Sequence, residues 1–166
     1  MDFADEIKAW EKAIDKVAWH ETGHAVYAIL KGVKVTKVKI RMRMGIPYGG
    51  ETWFEADMRE RWLMGNGFHI AGRAWEVRYN GETVEDVVDA MLKEKGKDTD
   101  LEKLGNPSRD ELIGMVNQCL ADTERDCQVG MVKKLNEAIH EGLWRKSSLN
   151  HKDLQAIGKA NGWHLI

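Results

Sequence analysis

Two histidines and a glutamate form the most chemically distinctive stretch of this sequence, His20-Glu21-Thr22-Gly23-His24. On an α-helix, residues four positions apart lie one turn apart on the same face, so both imidazoles can reach one ion. This His-Glu-x-x-His spacing is typical of zinc sites, where each imidazole nitrogen binds at about 2.0–2.1 Å. Glu21 would then lie beside the metal as general base for a water molecule whose pKa zinc lowers towards about 7. The motif therefore predicts metal-assisted hydrolysis.

The apolar pattern around the motif places part of it on a face that the fold should bury. Apolar residues recur at helical spacing at positions 7, 10, 14, 17 and 28, and continuing that stripe by heptads includes Glu21 and His24. Burying a carboxylate and an imidazole without partners costs several kcal/mol, which a metal ion would offset. The alternative interpretation is a pair of structural histidines satisfied by hydrogen bonds.

A zinc site of this kind needs a third protein ligand, and several residues after the motif are suitable. Spacing does not choose among them. Asp100 lies at a predicted helix start, where the helix dipole and the free N–H groups favour a carboxylate. For Asp98 and Asp100 alike, simple helix capping is the alternative explanation. The candidates are Glu51, Glu55, His69, Glu76, Asp98, Asp100 and Glu102.

The elements that must position these residues are mostly helices. Alternation of apolar and basic residues, with one slip in phase near Thr36, predicts a strand over residues 33–42. A loop over 44–50 and a short strand over 51–54 would complete an antiparallel hairpin of two edge strands. Capping and periodicity predict the mainly α (α+β) class, with helices over 3–30, 56–79 (interrupted by its glycines), 83–92, a short turn from 98 towards 104, 108–141 and 150–160.

Length and composition fit a single globular domain over residues 1–166. The net charge is −2 without a basic block, which argues against nucleic acid or an anionic membrane as partner. The longest apolar run has six residues, far short of the roughly 20 that span a bilayer. The acidic start and the two cysteines fit neither a secretory signal nor a disulfide scaffold, so we expect a cytoplasmic location. The oligomeric state stays open.

Several segments together resemble the FtsH-type zinc metallopeptidase domain of AAA proteases. Residues 17–25 (VAWHETGHA) are similar to its active-site helix, and 36–40 and 49–52 to its two strands. Residues 70–76 (IAGRAWE) resemble its Gly-Gly-Arg-Ala-Ala-Glu segment, 98–102 (DTDLE) its Asn-Asp-Leu-Glu segment, and 136–154 its closing helices. The resemblance implies a helical, zincin-like domain whose zinc is bound by two histidines and an aspartate. By position the ligands are His20, His24 and Asp100, with Asp98 as the alternative, and Glu21 is the base.

These observations predict an ATP-independent zinc metalloendopeptidase with Zn²⁺ as cofactor. No phosphate-binding loop or nucleotide fingerprint occurs in the sequence. Without an unfoldase, its substrates would be unstructured peptides, unfolded proteins or one specific protein partner. The alternative is a catalytically silent, peptidase-like module that binds or regulates a protein; the intact Glu21 argues against it. An extended peptide is expected to pair with the hairpin edge near residues 49–53.

Overall fold

Helices make up most of the protein. The computed structural model describes residues 2–94 and 99–164. Over these residues a small three-stranded antiparallel sheet accompanies the helices, which confirms the mainly α (α+β) class. In chain order the elements are α1 Phe3–Leu30, β1 Lys34–Arg43, β2 Ile46–Glu55, α2 Met58–Met64, α3 Gly67–Asn80, α4 Val84–Lys93, α5 Asp100–Lys103, α6 Arg109–Gln128, α7 Gly130–Lys146, β3 Ser148–Asn150 and α8 His151–Ala160.

The sheet has the strand order β2-β1-β3. A register shift between Val35 and Lys37 confirms the slip in phase near Thr36. The predicted loop over 44–50 is wrong: β2 begins at Ile46, after a tight turn in which Met44 and Gly45 both have positive φ. Two positive φ values suit the right-handed twist of a hairpin. The prediction of two edge strands is wrong for β1, which pairs with β3 over residues 37–39. The outer edge of β2 faces away from the rest of the sheet.

Helix α1 packs closely against α3, and this contact holds the His-Glu-x-x-His segment in place. The helix is mostly exposed before Ile14 and almost completely buried from Glu21 to Ile29. Gly23 makes the close approach possible, because a Cβ there would lie 2.6 Å from the Ala71 carbonyl oxygen. On α3 the fully buried Trp75 indole donates to Asn136 Oδ1 at 2.6 Å, which ties α3 to α7.

The other helices follow the predicted caps more closely than the predicted lengths. Thr83, Ser108 and Asn150 each accept a hydrogen bond from a first-turn N–H, as predicted. The predicted helix over 108–141 is two helices, because Val129 adopts an extended conformation between α6 and α7. Gly142 does not end α7; it lies inside the helix, where a Cβ would approach Leu149 at 3.1 Å. Segment 56–79 forms two helices, with Gly65 after the first.

Buried apolar side chains from α1, the sheet, α3, α4, α6, α7 and α8 form the hydrophobic core. In the described ranges, no helix combines the length and apolarity needed to cross a membrane. Helix α1, which carries the motif, and its neighbour α3 thus pack on the core along one side. Their other side borders an open cleft of roughly 780 Å³ between α1, β2, α3 and α5.

Candidate metal centre

The two motif histidines lie one turn apart on α1 in the wall of the cleft, with their imidazole rings next to each other. Their Nε2 atoms are 3.0 Å apart. His24 is 5% exposed, and the His20 side chain is 14% exposed. In their neutral forms, two imidazoles this close present two lone pairs to the same small volume, as a metal site on a helical i, i+4 pair requires.

Each imidazole is oriented through its other ring nitrogen. His24 Nδ1 donates to the backbone carbonyl of Phe68 at 2.6 Å, and a carbonyl can only accept. His20 Nδ1 lies 2.6 Å from Oε1 of the buried Glu76. Protons on both Nδ1 atoms leave both Nε2 atoms free as ligands, which is the arrangement found around metal-bound histidines.

Asp100 brings a carboxylate to the same point from the far side of the cleft. It is the first residue of α5, whose N-cap Thr99 accepts from the Glu102 N–H. Asp100 Oδ2 lies 3.3 Å from His24 Nε2 and 3.5 Å from His20 Nε2. The structure therefore brings together the three residues that the sequence proposed as ligands. We call His20 Nε2, His24 Nε2 and Asp100 Oδ2 the donor triangle.

The dimensions of the donor triangle suit a small divalent cation such as zinc. Tetrahedral ligands at about 2.0–2.1 Å from a zinc ion are separated from one another by about 3.3–3.4 Å. The three edges here measure 3.0, 3.3 and 3.5 Å. Gly72 of α3 leaves the space beside the two histidines open, since a Cβ would lie 2.7 Å from each Nε2 atom. Two imidazoles and one carboxylate also match the donor types of catalytic zinc sites with an open fourth position.

Glu21 lies next to the donor triangle. Its side chain is buried, and a carboxylate oxygen lies within 4.8 Å of the ligand nitrogens of both histidines. Thr52 of β2 donates its hydroxyl to Glu21 Oε2 at 2.9 Å. Gly50 allows β2 to approach this closely, because a Cβ at that position would lie 2.5 Å from Glu21 Cδ. The strand thus fixes the carboxylate beside the site. The sequence placed Thr52 and Gly50 only in the hairpin edge expected to bind a peptide. Their contacts with Glu21 were not predicted, since neither residue type signals them.

The charges around the triangle favour a cation. Burial lowers the pKa of His20, but hydrogen bonds to Asp100 and Glu76 outweigh it and raise that pKa to about 9. Burial raises the pKa of Glu76, but the hydrogen bond and charge of His20 bring it down to about 2. Burial likewise opposes ionisation of Asp100, yet the charge of His24 and hydrogen bonds from three histidines hold its pKa far below the ordinary range. The carboxylates of Glu76 and Asp100 are therefore ionised at neutral pH, and they stabilise a positive charge located between these two residues.

Glu76 supports the site without belonging to the donor triangle. It was one of the candidate third ligands, but it contacts the Nδ1 side of the His20 ring, away from the cleft point where the Nε2 atoms meet. Arg73 Nη1 donates to Glu76 at 2.9 Å, and Lys16 Nζ lies 3.7 Å from it. These cations compensate the burial of Glu76, which is 1% exposed. Its orienting role was not predicted; the available signal was its place at the end of the segment 70–76.

Three other candidate ligands contact atoms outside the donor triangle, and Glu102 of α5 donates its backbone N–H to Thr99. Glu51 pairs with Arg41 across the hairpin, and Glu55 with Lys34 at 2.9 Å. His69 Nδ1 contacts Asp100 Oδ1 at 3.2 Å, outside the donor triangle. Asp98 lies outside the described residues.

Comparison with known proteins adds no family assignment. No protein-family profile matches the chain, and no curated protein matches its sequence.

Proposed function

We propose that this chain is a zinc-dependent, ATP-independent metalloendopeptidase. The observation that carries the proposal is the position of Glu21, a buried carboxylate fixed by Thr52 beside three converging donor atoms. With His20, His24 and Asp100 as the ligands, Glu21 remains as a second carboxylate beside the metal and is available to act as a base. Peptidase chemistry needs such a base.

The chain's own residues divide the chemistry between them. His20, His24 and Asp100 would hold the zinc ion, which supplies a water molecule of lowered pKa and a polarised substrate carbonyl. Glu21 accepts a proton from the attacking water and returns it to the amine that leaves. Thr52 keeps the Glu21 carboxylate pointing at the reacting atoms by donating to one of its oxygens. The burial of Glu21 excludes bulk water from this proton transfer.

The outer edge of β2 provides the place for an extended substrate. Residues 49–53 line the cleft and belong to the strand at the end of the sheet. A peptide can add to this edge through main-chain hydrogen bonds. Gly49 has no side chain and a Cβ there would meet no described atom within 4 Å, so the backbone of a peptide can approach that of the strand closely. Only an unfolded segment can adopt this conformation, so the substrates we propose are unstructured peptides, unfolded proteins or a partner with such a segment.

The resemblance to the FtsH-type peptidase domain supports the same assignment. Most of its motifs fall on α1, β1, β2, α3 and α5, the elements that form and border the cleft, whereas the closing segment 136–154 falls on α7, β3 and α8. The proposed hydrolysis uses only a metal-bound water molecule and a base, so the chemical step itself needs no nucleotide.

The decisive experiment compares Glu21→Gln with the unmodified chain. The amide keeps the shape of the side chain but cannot accept the proton, so cleavage of a labelled unfolded protein should fall by about 10²–10⁴-fold. Zinc content, measured by elemental analysis, should stay near one ion per chain. His24→Ala should lose both zinc and cleavage.

Glu55→Gln on β2 is the matched control, because it makes the same change at an exposed glutamate that pairs with Lys34. It should leave zinc content and cleavage unchanged. Zinc binding without cleavage in the unmodified chain would favour the silent binding module. Cleavage that survives in Glu21→Gln would show that Glu21 is not the base.

A further inference from the structure

Two adjacent residues in the first turn of α3 each form a hydrogen bond with one of the proposed ligands. The Phe68 carbonyl accepts from His24 Nδ1, as described above. The next residue, His69, places its own Nδ1 3.2 Å from Asp100 Oδ1. Adjacent residues of one helix therefore contact a ligand from α1 and a ligand from α5.

The contact with His69 gives the two oxygens of the Asp100 carboxylate different partners. Oδ2 faces the two Nε2 atoms at 3.3 and 3.5 Å, whereas Oδ1 faces His69. An oxygen occupied by a hydrogen bond is less available as a second ligand, so the carboxylate is held for one-oxygen binding. This leaves the fourth position of a tetrahedral site open.

The location of Asp100 explains why such a contact matters. α5 has only four residues, so its backbone hydrogen bonds alone give it little stability. The side chains of His69 and Asp100 are both partly buried, 24% and 20% exposed, and the His69 ring packs edge-on against Phe68 at 5.3 Å. A partly shielded hydrogen bond from a restrained ring is a suitable anchor for a short helix.

The geometry points to His69 as a positioning residue that orients Asp100 for metal binding by hydrogen-bonding the oxygen that does not ligate. This inference rests on the proposed zinc site. It differs from the sequence-based option of His69 as a ligand, because the imidazole acts on Asp100 and not on the metal. The chemistry required is a donor N–H at the Nδ1 position, and an asparagine side chain can supply one there.

The test measures zinc affinity by competition with a chromophoric chelator. His69→Ala should weaken binding by about 10–100-fold, the usual effect of removing a group that orients a ligand. His69→Asn, which keeps a donor, should stay within about threefold of the unmodified chain. In an Asp100→Ala background, His69→Ala should cause no further loss, because its effect passes through Asp100.

A matched control is His151→Ala on α8, whose Nδ1 lies 3.0 Å from the Val35 carbonyl oxygen. It should leave zinc affinity unchanged. Circular dichroism of each variant confirms that the helices persist. Equal affinity of His69→Ala and the unmodified chain, an Asn variant as weak as the Ala variant, or an additive loss in the Asp100→Ala background would each overturn the inference while zinc binding stands. Failure of the unmodified chain to bind zinc would instead overturn the proposed function, and the inference with it.

Discussion

Replacing Gly72 by alanine is the sharpest test of where the metal lies. Gly72 is on α3, directly beside the two motif histidines. A Cβ at this position would lie 2.7 Å from Nε2 of both His20 and His24. Non-bonded heavy atoms prefer separations of about 3.5 Å or more, so each imidazole would have to retreat by about 0.8 Å.

The imidazoles cannot retreat freely. Hydrogen bonds of 2.6 Å hold His20 to Glu76 and His24 to the Phe68 carbonyl. Metal–ligand distances tolerate deviations of only about 0.2 Å, so the displacement disrupts coordination. We expect zinc affinity to fall by at least 10–100-fold, or about 1.4–2.7 kcal/mol. Alanine is favoured over glycine in a helix by about 1 kcal/mol, but overpacking against the two restrained imidazoles costs about 1–3 kcal/mol. The stability of the metal-free protein should therefore not rise, and it should fall by up to about 2 kcal/mol.

Gly114→Ala provides the matched control. Gly114 lies in the exposed part of α6, where a Cβ would meet no described atom within 4 Å. It should bring the gain in helix stability of about 1 kcal/mol and leave zinc affinity unchanged. Chelator competition gives the affinity, and thermal unfolding with and without chelator gives the stability. If Gly72→Ala binds zinc as tightly as Gly114→Ala, the metal does not lie between His20 and His24, and the argument from the donor triangle is wrong.

Two further predictions concern the base and the effect of pH. Gly50→Ala should lower kcat for peptide cleavage by about 10²-fold or more while zinc content is retained, because its Cβ would displace Glu21; full cleavage would refute the placement of the base. Without metal, stability should fall as the pH rises from 6.5 to 9, because the folded state holds a proton on His20 up to about 9 and the unfolded state releases it near 6.5. With zinc the dependence should reverse, since the metal replaces that proton; thermal unfolding between pH 6.5 and 9 with zinc or chelator measures both.

Local patterns determined much of the fold. The register shift near Thr36 was already visible in the sequence as a break in apolar alternation, because side-chain alternation and strand register have the same period of two. The caps at Thr83, Ser108 and Asn150 were predictable because each contact joins residues three apart. The errors arose where distant packing decides. Gly142 lies inside a helix, and its missing side chain leaves the space that Leu149 occupies. The three residues of β3 form a strand only by pairing with β1.

In the metal centre, too, the local sequence determined some features and the tertiary structure determined the others. The sequence by itself determined that His20 and His24 share a helix face with Glu21 between them, because four residues make about one turn wherever that helix lies. Spacing left seven candidates for the third ligand, and the resemblance selected Asp100, with Asp98 as the alternative. Only the tertiary structure brings α5 to α1, places Asp100 Oδ2 at 3.3 and 3.5 Å from the two imidazoles, and sets Glu76 behind one of them. These contacts join residues 56 and more positions apart, and they depend on how helices pack around a shared core, which no short stretch of sequence specifies.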